Sequence, residues 1–204
     1  MNILYDMLKS SMKSPFKKYR YAEAREQIRS GDILMCSGTS LFSKGIQLAT
    51  KSKWSHVGIL LKIPEINRIM VLESVETRGV QSVPLSSYVK DYNGSGVPYA
   101  GELAIYRHKL FKKEMLPVCS EKVIDLLGYQ YDNTEILRIS WRIATSRLFK
   151  KSRIPKDNKL FICSECSNVF FTAGGIPIKP DARGFISPAC FPKDPNVEYL
   201  FDIC

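Results

Sequence analysis

Trp54-Ser55-His56-Val57-Gly58-Ile59-Leu60-Leu61-Lys62-Ile63-Pro64-Glu65-Ile66-Asn67-Arg68-Ile69-Met70-Val71-Leu72-Glu73 is the stretch that decides the fold. His56 to Ile63 forms a continuous apolar run, Pro64-Glu65-Ile66-Asn67 is a turn, and Arg68 to Glu73 returns, so the segment predicts a β-hairpin. If His56 opens one strand and Glu73 closes its antiparallel neighbour, both lie at the same edge of the sheet. Glu73 would there accept a hydrogen bond from the far imidazole nitrogen, the orienting role of a carboxylate in a nucleophilic triad. The same residues also suit a satisfied histidine at a strand entrance and an exposed strand-end carboxylate.

Outward from the hairpin, Ile33 to Cys36 reads as a strand after a short helix around Ala22 to Arg29, which Ser30-Gly31-Asp32 ends. Leu41, Ile46, Leu48 and Ala49 fit a short helix before Lys51-Ser52-Lys53. Val80 to Val83 and Leu103 to Tyr106 are further strands, separated by a loop over Tyr92 to Pro98. The second half turns helical: Met115, Cys119, Val123, Leu126 and Leu127 are helix-spaced up to Gly128, and Ile136, Ile139, Ile143 and Leu148 predict another helix. A basic loop runs from Lys150 to Lys159. Cys163, Cys166, Phe170 and Ala173 then share one face of a helix that Gly174-Gly175 terminates. The tail, with Pro177, Pro180, Pro188, Pro192 and Pro195, is expected to be irregular. Residues 1–25 read as an N-terminal extension with an amphipathic start, and residues 26–204 as one domain.

The 204 residues carry a net charge of +10 and a pI near 9.3, which draws the chain toward anionic surfaces. Lys13, Lys17, Lys18 and Arg20, then Lys109, Lys112 and Lys113, then Arg147 to Lys159, hold the clusters. No nucleic-acid module and no aromatics interleaved with these bases accompany them, so nucleic acid is not expected as a partner. The apolar residues Ile3, Leu4, Met7, Leu8 and Met12, followed by basic ones, would suit peripheral contact with an anionic membrane or packing on the domain itself. That stretch falls short of the roughly 20 apolar residues of a membrane span. Six cysteines are few for a disulfide scaffold, and no secretory pattern precedes the domain, so a reducing, cytoplasmic setting is expected.

Cys163 opens its helix, where free N–H groups and the positive end of the helix dipole stabilise a thiolate and later an oxyanion. An adjacent imidazole would add to this, and only His56 and His108 could supply one. Against this stands the ordinary fate of a cysteine as inert core, which is the reading for Cys36, Cys119 and Cys190. Cys163-Ser164-Glu165-Cys166 spells C-x-x-C, yet no second ligand pair of zinc-site spacing exists, so no metal and no other cofactor is expected. Redox exchange between these two cysteines remains open as a regulatory reading.

Taken in order, Gly31-Asp32-Ile33-Leu34, Gln47-Leu48-Ala49-Thr50, Trp54 to Ile59, Leu72-Glu73-Ser74, Gly79-Val80, Tyr106-Arg107, Gly128, Tyr131-Asp132 and Cys163-Ser164-Glu165 resemble the circularly permuted NlpC/P60 group of the YiiX/YebB type. The resemblance spans roughly residues 26 to 190. It implies an α+β, papain-like fold, an antiparallel sheet packed against helices, with the histidine strand ahead of the cysteine helix. By position it makes Cys163 the nucleophile, His56 its base and Glu73 the orienting carboxylate, with Trp54 and Tyr131 facing substrate. His108 matches no element and is expected at the surface. Ile162 and Cys166 depart from the pattern, where an aromatic residue and leucine are usual. The implied activity is that of a cysteine hydrolase or acyltransferase acting through an acyl-enzyme on a peptide-like amide or a lipid or other acyl ester. The alternative is a non-catalytic module holding a lipid or amino-acid-like ligand in the same cleft.

Overall fold

In the computed structural model, residues 17–130, 162–182 and 184–204 are described. The expected helix over Ile136 to Leu148, the amphipathic start and Tyr131 lie outside them. The elements run β1 (Lys18–Tyr19), α1 (Tyr21–Gln27), β2 (Ile33–Gly38), α2 (Leu41–Thr50), β3 (His56–Ile63), β4 (Arg68–Val75), β5 (Gly79–Pro84), α3 (Leu85–Lys90), β6 (Gly101–His108), α4 (Leu116–Ile124), α5 (Cys163–Ala173) and β7 (Val197–Ile203). They form a seven-stranded sheet in the order β1-β7-β6-β2-β3-β4-β5. Every neighbouring pair is antiparallel except β1 with β7.

The central strands are apolar without alternation because both faces of the sheet are covered. Ile33, Met35, Val57, Ile59 and Leu72 pack with Cys166, Phe170 and Phe171 of α5 and with Cys119 and Val123 of α4. The alternate residues Leu34, Cys36, Leu60 and Val71 pack with Ala24 of α1 and with Leu85 and Tyr88 of α3. A buried ion pair clamps the entrance to β2. Arg107 Nε and Nη2 donate to the two carboxylate oxygens of Asp32 at 2.6 and 2.8 Å, and the Arg29 N–H adds a third bond at 2.8 Å. Burial nonetheless leaves the Asp32 carboxyl above its ordinary pKa.

Two expectations change. The tail is not irregular throughout: past the prolines, residues 197–203 become β7, inserted between β1 and β6. Val197, Phe201 and Ile203 are buried and Glu198 exposed, a half-buried strand pattern beyond Pro195 that the proline-rich run obscures. His108, expected at the surface, is 2% exposed and stacks on Phe171 with ring centroids 5.2 Å apart. It closes β6 against α5, and burial lowers its pKa below the usual 6.5.

Candidate active site

β2 and β3 pair Cys36 with His56, and β4 and β5 pair Glu73 with Gln81. This register brings the beginning of β3 and the far half of β4 to one edge. His56 Nε2 lies 2.6 Å from Glu73 Oε2. Gly58 is what lets the two approach. A Cβ there would lie 2.7 Å from Val71 Cγ1, 3.2 Å from the Leu72 carbonyl oxygen and 3.4 Å from Glu73 Cβ. The strand entrance is held by Ser55, whose hydroxyl accepts from the Gly38 N–H at 3.0 Å.

Glu73 is 1% exposed and accepts from three side chains. Besides His56, Gln81 Nε2 donates to Oε1 at 2.9 Å and Tyr88 Oη donates to Oε2. Burial alone would raise this carboxyl. Hydrogen bonds from His56, Tyr88 and Gln81, with the charge of His56, override it and hold the group below its usual value.

The helix α5 supplies Cys163 as its first residue, 3% exposed. Helix position is fixed by the apolar face and by two hydroxyls: Ser164 Oγ donates to the Ile186 carbonyl at 2.8 Å and Ser167 Oγ to that of Val57 at 3.5 Å. Glu165 reaches back to accept the Ile162 N–H at 3.3 Å, which tidies the first turn. Cys163 lies close enough to His56 to act on its imidazole. Since Nε2 is taken by Glu73, Nδ1 is the nitrogen left for the sulfur. Burial works against a charged imidazole here, but the hydrogen bonds and negative charge of Cys163 and Glu73 outweigh it and raise His56 from 6.5 to about 10. The neighbouring thiols are held neutral. Cys36 is pushed well up by burial and by Glu73 and Cys163, and Cys166 is pushed up to about 12 for the same reasons. Both stay protonated, which leaves Cys163 as the cysteine beside the imidazole.

The structure therefore brings Cys163, His56 and Glu73 together. Trp54 lies beside them in sequence but is 4% exposed, its indole edge-on to Tyr106 at 5.9 Å and capped by Lys53 Nζ at 4.5 Å. Gln81 and Tyr88 were not singled out by sequence reasoning. Gln81 could have been found by continuing the hairpin register one strand further. Tyr88 sits on a six-residue helix with no motif around it.

A buried thiol at a helix N-terminus and a half-buried imidazole held by a buried carboxylate, on a sheet covered by helices, make up an arrangement of papain-like type in permuted chain order. The chain belongs to the family described as permuted papain-like amidase enzyme, YaeF/YiiX, C92 family, whose model matches residues 27–138. That match takes in His56 and Glu73 and ends before Cys163. Among solved structures, the crystal structure of metalloprotein YiiX from Escherichia coli O157:H7 (DUF1105) is similar at TM-score 0.60 and 20% identity, covering 85% of this chain and 97% of that one. This likeness establishes the shared fold. No curated protein matches the chain. Among the described residues, no group of three or more His, Cys, Asp or Glu side chains is placed to hold a metal ion. The Glu73 carboxylate is already occupied by three donors, so the donor set around Cys163 does not fit one. Nor, among the described residues, is any helix long and apolar enough to cross a membrane.

Proposed function

We propose that this chain is a thiol hydrolase of amide bonds working through Cys163, His56 and Glu73. The observation that supports this most is the placement of a helix-terminal thiol beside an imidazole whose Nε2 is held by a buried carboxylate at 2.6 Å. The Cys163 thiolate attacks the carbonyl carbon, and the oxyanion forms at the free N–H groups of the first turn of α5. The His56 imidazolium gives its proton to the leaving amine as the C–N bond breaks, leaving a thioester on Cys163. Water then attacks with His56 taking its proton, and the acid leaves as the thiolate re-forms. Glu73 keeps the ring in one orientation and stabilises its charge throughout.

The test is intact and peptide mass spectrometry after exposure to a panel of activated amides and esters. An acyl adduct at Cys163 that is absent in His56→Ala supports the reading. A cleft that retains a bound ligand while Cys163 stays unreactive would make the protein a binding module instead.

One observation favours a second reading, acyl transfer at an anionic lipid surface. The helix α2, which leads into β3 and His56, exposes Leu41 (93%) and Leu48 (81%) beside the exposed Lys44 and Lys51. Basic residues around protruding leucines suit an interface rich in anionic phospholipid. Binding to phosphatidylglycerol vesicles that falls several-fold in the Leu41→Ser, Leu48→Ser double variant would support it. Equal binding by both proteins, or none by either, would remove it.

A further inference from the structure

We propose that Tyr88 is a positioning residue of this site, its phenol acting with Gln81 to fix the Glu73 carboxylate as the ionised, single-orientation acceptor for His56; the inference rests on the catalytic reading above.

The geometry is specific. Tyr88 is fully buried, and its hydroxyl donates to Oε2, the same oxygen that receives His56 Nε2. Gln81 holds the other oxygen. With only His56 as donor, the carboxylate would be free to rotate about its last bond, and its burial would favour the neutral acid. Two further donors, from β5 and α3, pin both oxygens and offset the desolvation. Tyr88 is itself held: its ring packs against Tyr92 and Tyr99 with centroids 4.9 and 5.5 Å away, and its carbonyl accepts the Tyr99 N–H at 2.8 Å. The short helix α3 and its tyrosine cluster thus act as a brace behind the carboxylate. A tyrosine used only for packing would have no need to place its hydroxyl on this one oxygen.

The titratable groups that reach Glu73 are His56 from β3, Cys36 from β2, Cys166 from α5, Tyr88 from α3, and Tyr92 and Tyr99 from the following turn. Burial and the charge of Glu73 keep Cys36, Cys166 and the three tyrosines neutral well past neutrality. Of these groups Glu73 is the one that changes charge in the acid range, since His56 is raised to about 10, which makes an acid titration interpretable.

The experiment uses the full chain labelled with ¹⁵N-histidine and ¹³C-tyrosine, together with alkylation of each cysteine by iodoacetamide. In the unsubstituted protein, His56 and the Tyr88 Cζ resonance should share one acid inflection, that of Glu73. Tyr88→Phe, which keeps the ring, should move the His56 inflection upward by about one pH unit and slow Cys163 alkylation at pH 7 roughly tenfold. A packing role alone would change the melting temperature and leave the inflection in place, and that result would overturn the proposal. If the variant does not fold, the shared inflection in the unsubstituted protein decides: a Tyr88 resonance blind to Glu73 also overturns it. The catalytic reading is judged separately. If Cys163 reacts no faster than Cys204, or ignores His56→Ala, that reading fails and the positioning role fails with it.

Discussion

Replacing Glu73 by Gln should move the titration of one histidine by a readable amount. The change is nearly isosteric: with the new amide oxygen in the place of Oε2, Tyr88 and His56 keep an acceptor, and Gln81 turns its own amide to accept from the new NH2, so the main loss is the charge opposite His56. His56 stands at about 10 against an ordinary 6.5, a preference for the imidazolium on the order of 5 kcal/mol. Cys163 and Glu73 share that preference against the opposing effect of burial. Removing one of two comparable partners should therefore lower the ring by about 2 pH units. The chain has only two histidines, and His108 is displaced in the opposite direction by burial. A ¹⁵N-histidine titration will thus show two well separated curves, one below 6.5 and one near 10, without extensive assignment. In Glu73→Gln the upper curve should fall to the neighbourhood of 8, and Cys163 alkylation at pH 7 should slow roughly a hundredfold as the ion pair weakens. An upper curve that stays near 10 in the variant, or a wild-type His56 that titrates near 6.5, would refute the reasoning.

Three further outcomes follow from the same geometry. Gly58→Ala should destabilise the protein by about 1–3 kcal/mol in urea unfolding, because the new methyl meets Val71 and the Leu72 carbonyl. It should also lower the His56 titration as Glu73 is displaced; a variant of native stability and unchanged titration would contradict the packing described. Arg107→Met leaves the Asp32 carboxyl buried without its fork and should cost about 3 kcal/mol, the low end for a buried pair because Arg107 is 22% exposed. Adding Asp32→Asn should recover much of that loss, and a single variant within about 1 kcal/mol of wild type would show the pair to be dispensable. Finally, because the folded state raises the His56 pKa, its stabilisation is complete below about 6.5 and is lost as pH rises through about 10. The melting temperature should fall across that window and do so less in His56→Ala.

Much of this site was legible in the sequence because its parts report on themselves locally. The hairpin from His56 to Glu73 shows its strands as apolar runs and its turn as Pro64 to Asn67, and antiparallel pairing then places the two ends together. Cys163 announces a helix start through the face it shares with Cys166 and Phe170. What stayed hidden is long-range or short. The strand β7 follows a proline-rich run that reads as loop and earns its place by pairing with β6 and β1. The helix α3 is six residues long, below the length at which periodicity speaks, so Tyr88 gave no sign that its hydroxyl reaches a carboxylate. His108 was misplaced for a related reason. A histidine at a strand end looks exposed until an aromatic from a distant helix, here Phe171, is known to cover it.

The division of the site along the chain explains why permuted order is harmless to it. His56, Glu73, Gln81 and Tyr88 all come from the segment between β3 and α3, so the proposed base and its supports form from consecutive elements with short connections. The proposed nucleophile, Cys163, arrives from elsewhere, on a helix whose docking is specified by its own contacts: Phe170 and Phe171 in the core, Ser167 on Val57 of the histidine strand, and Ser164 on Ile186. Because the Ser167 contact falls on the residue next to His56, the surface that seats α5 also sets the distance between sulfur and imidazole. Chain order is then free to vary so long as that docking is kept, since the chemistry needs the thiol, ring and carboxylate in series and is indifferent to which is synthesised first.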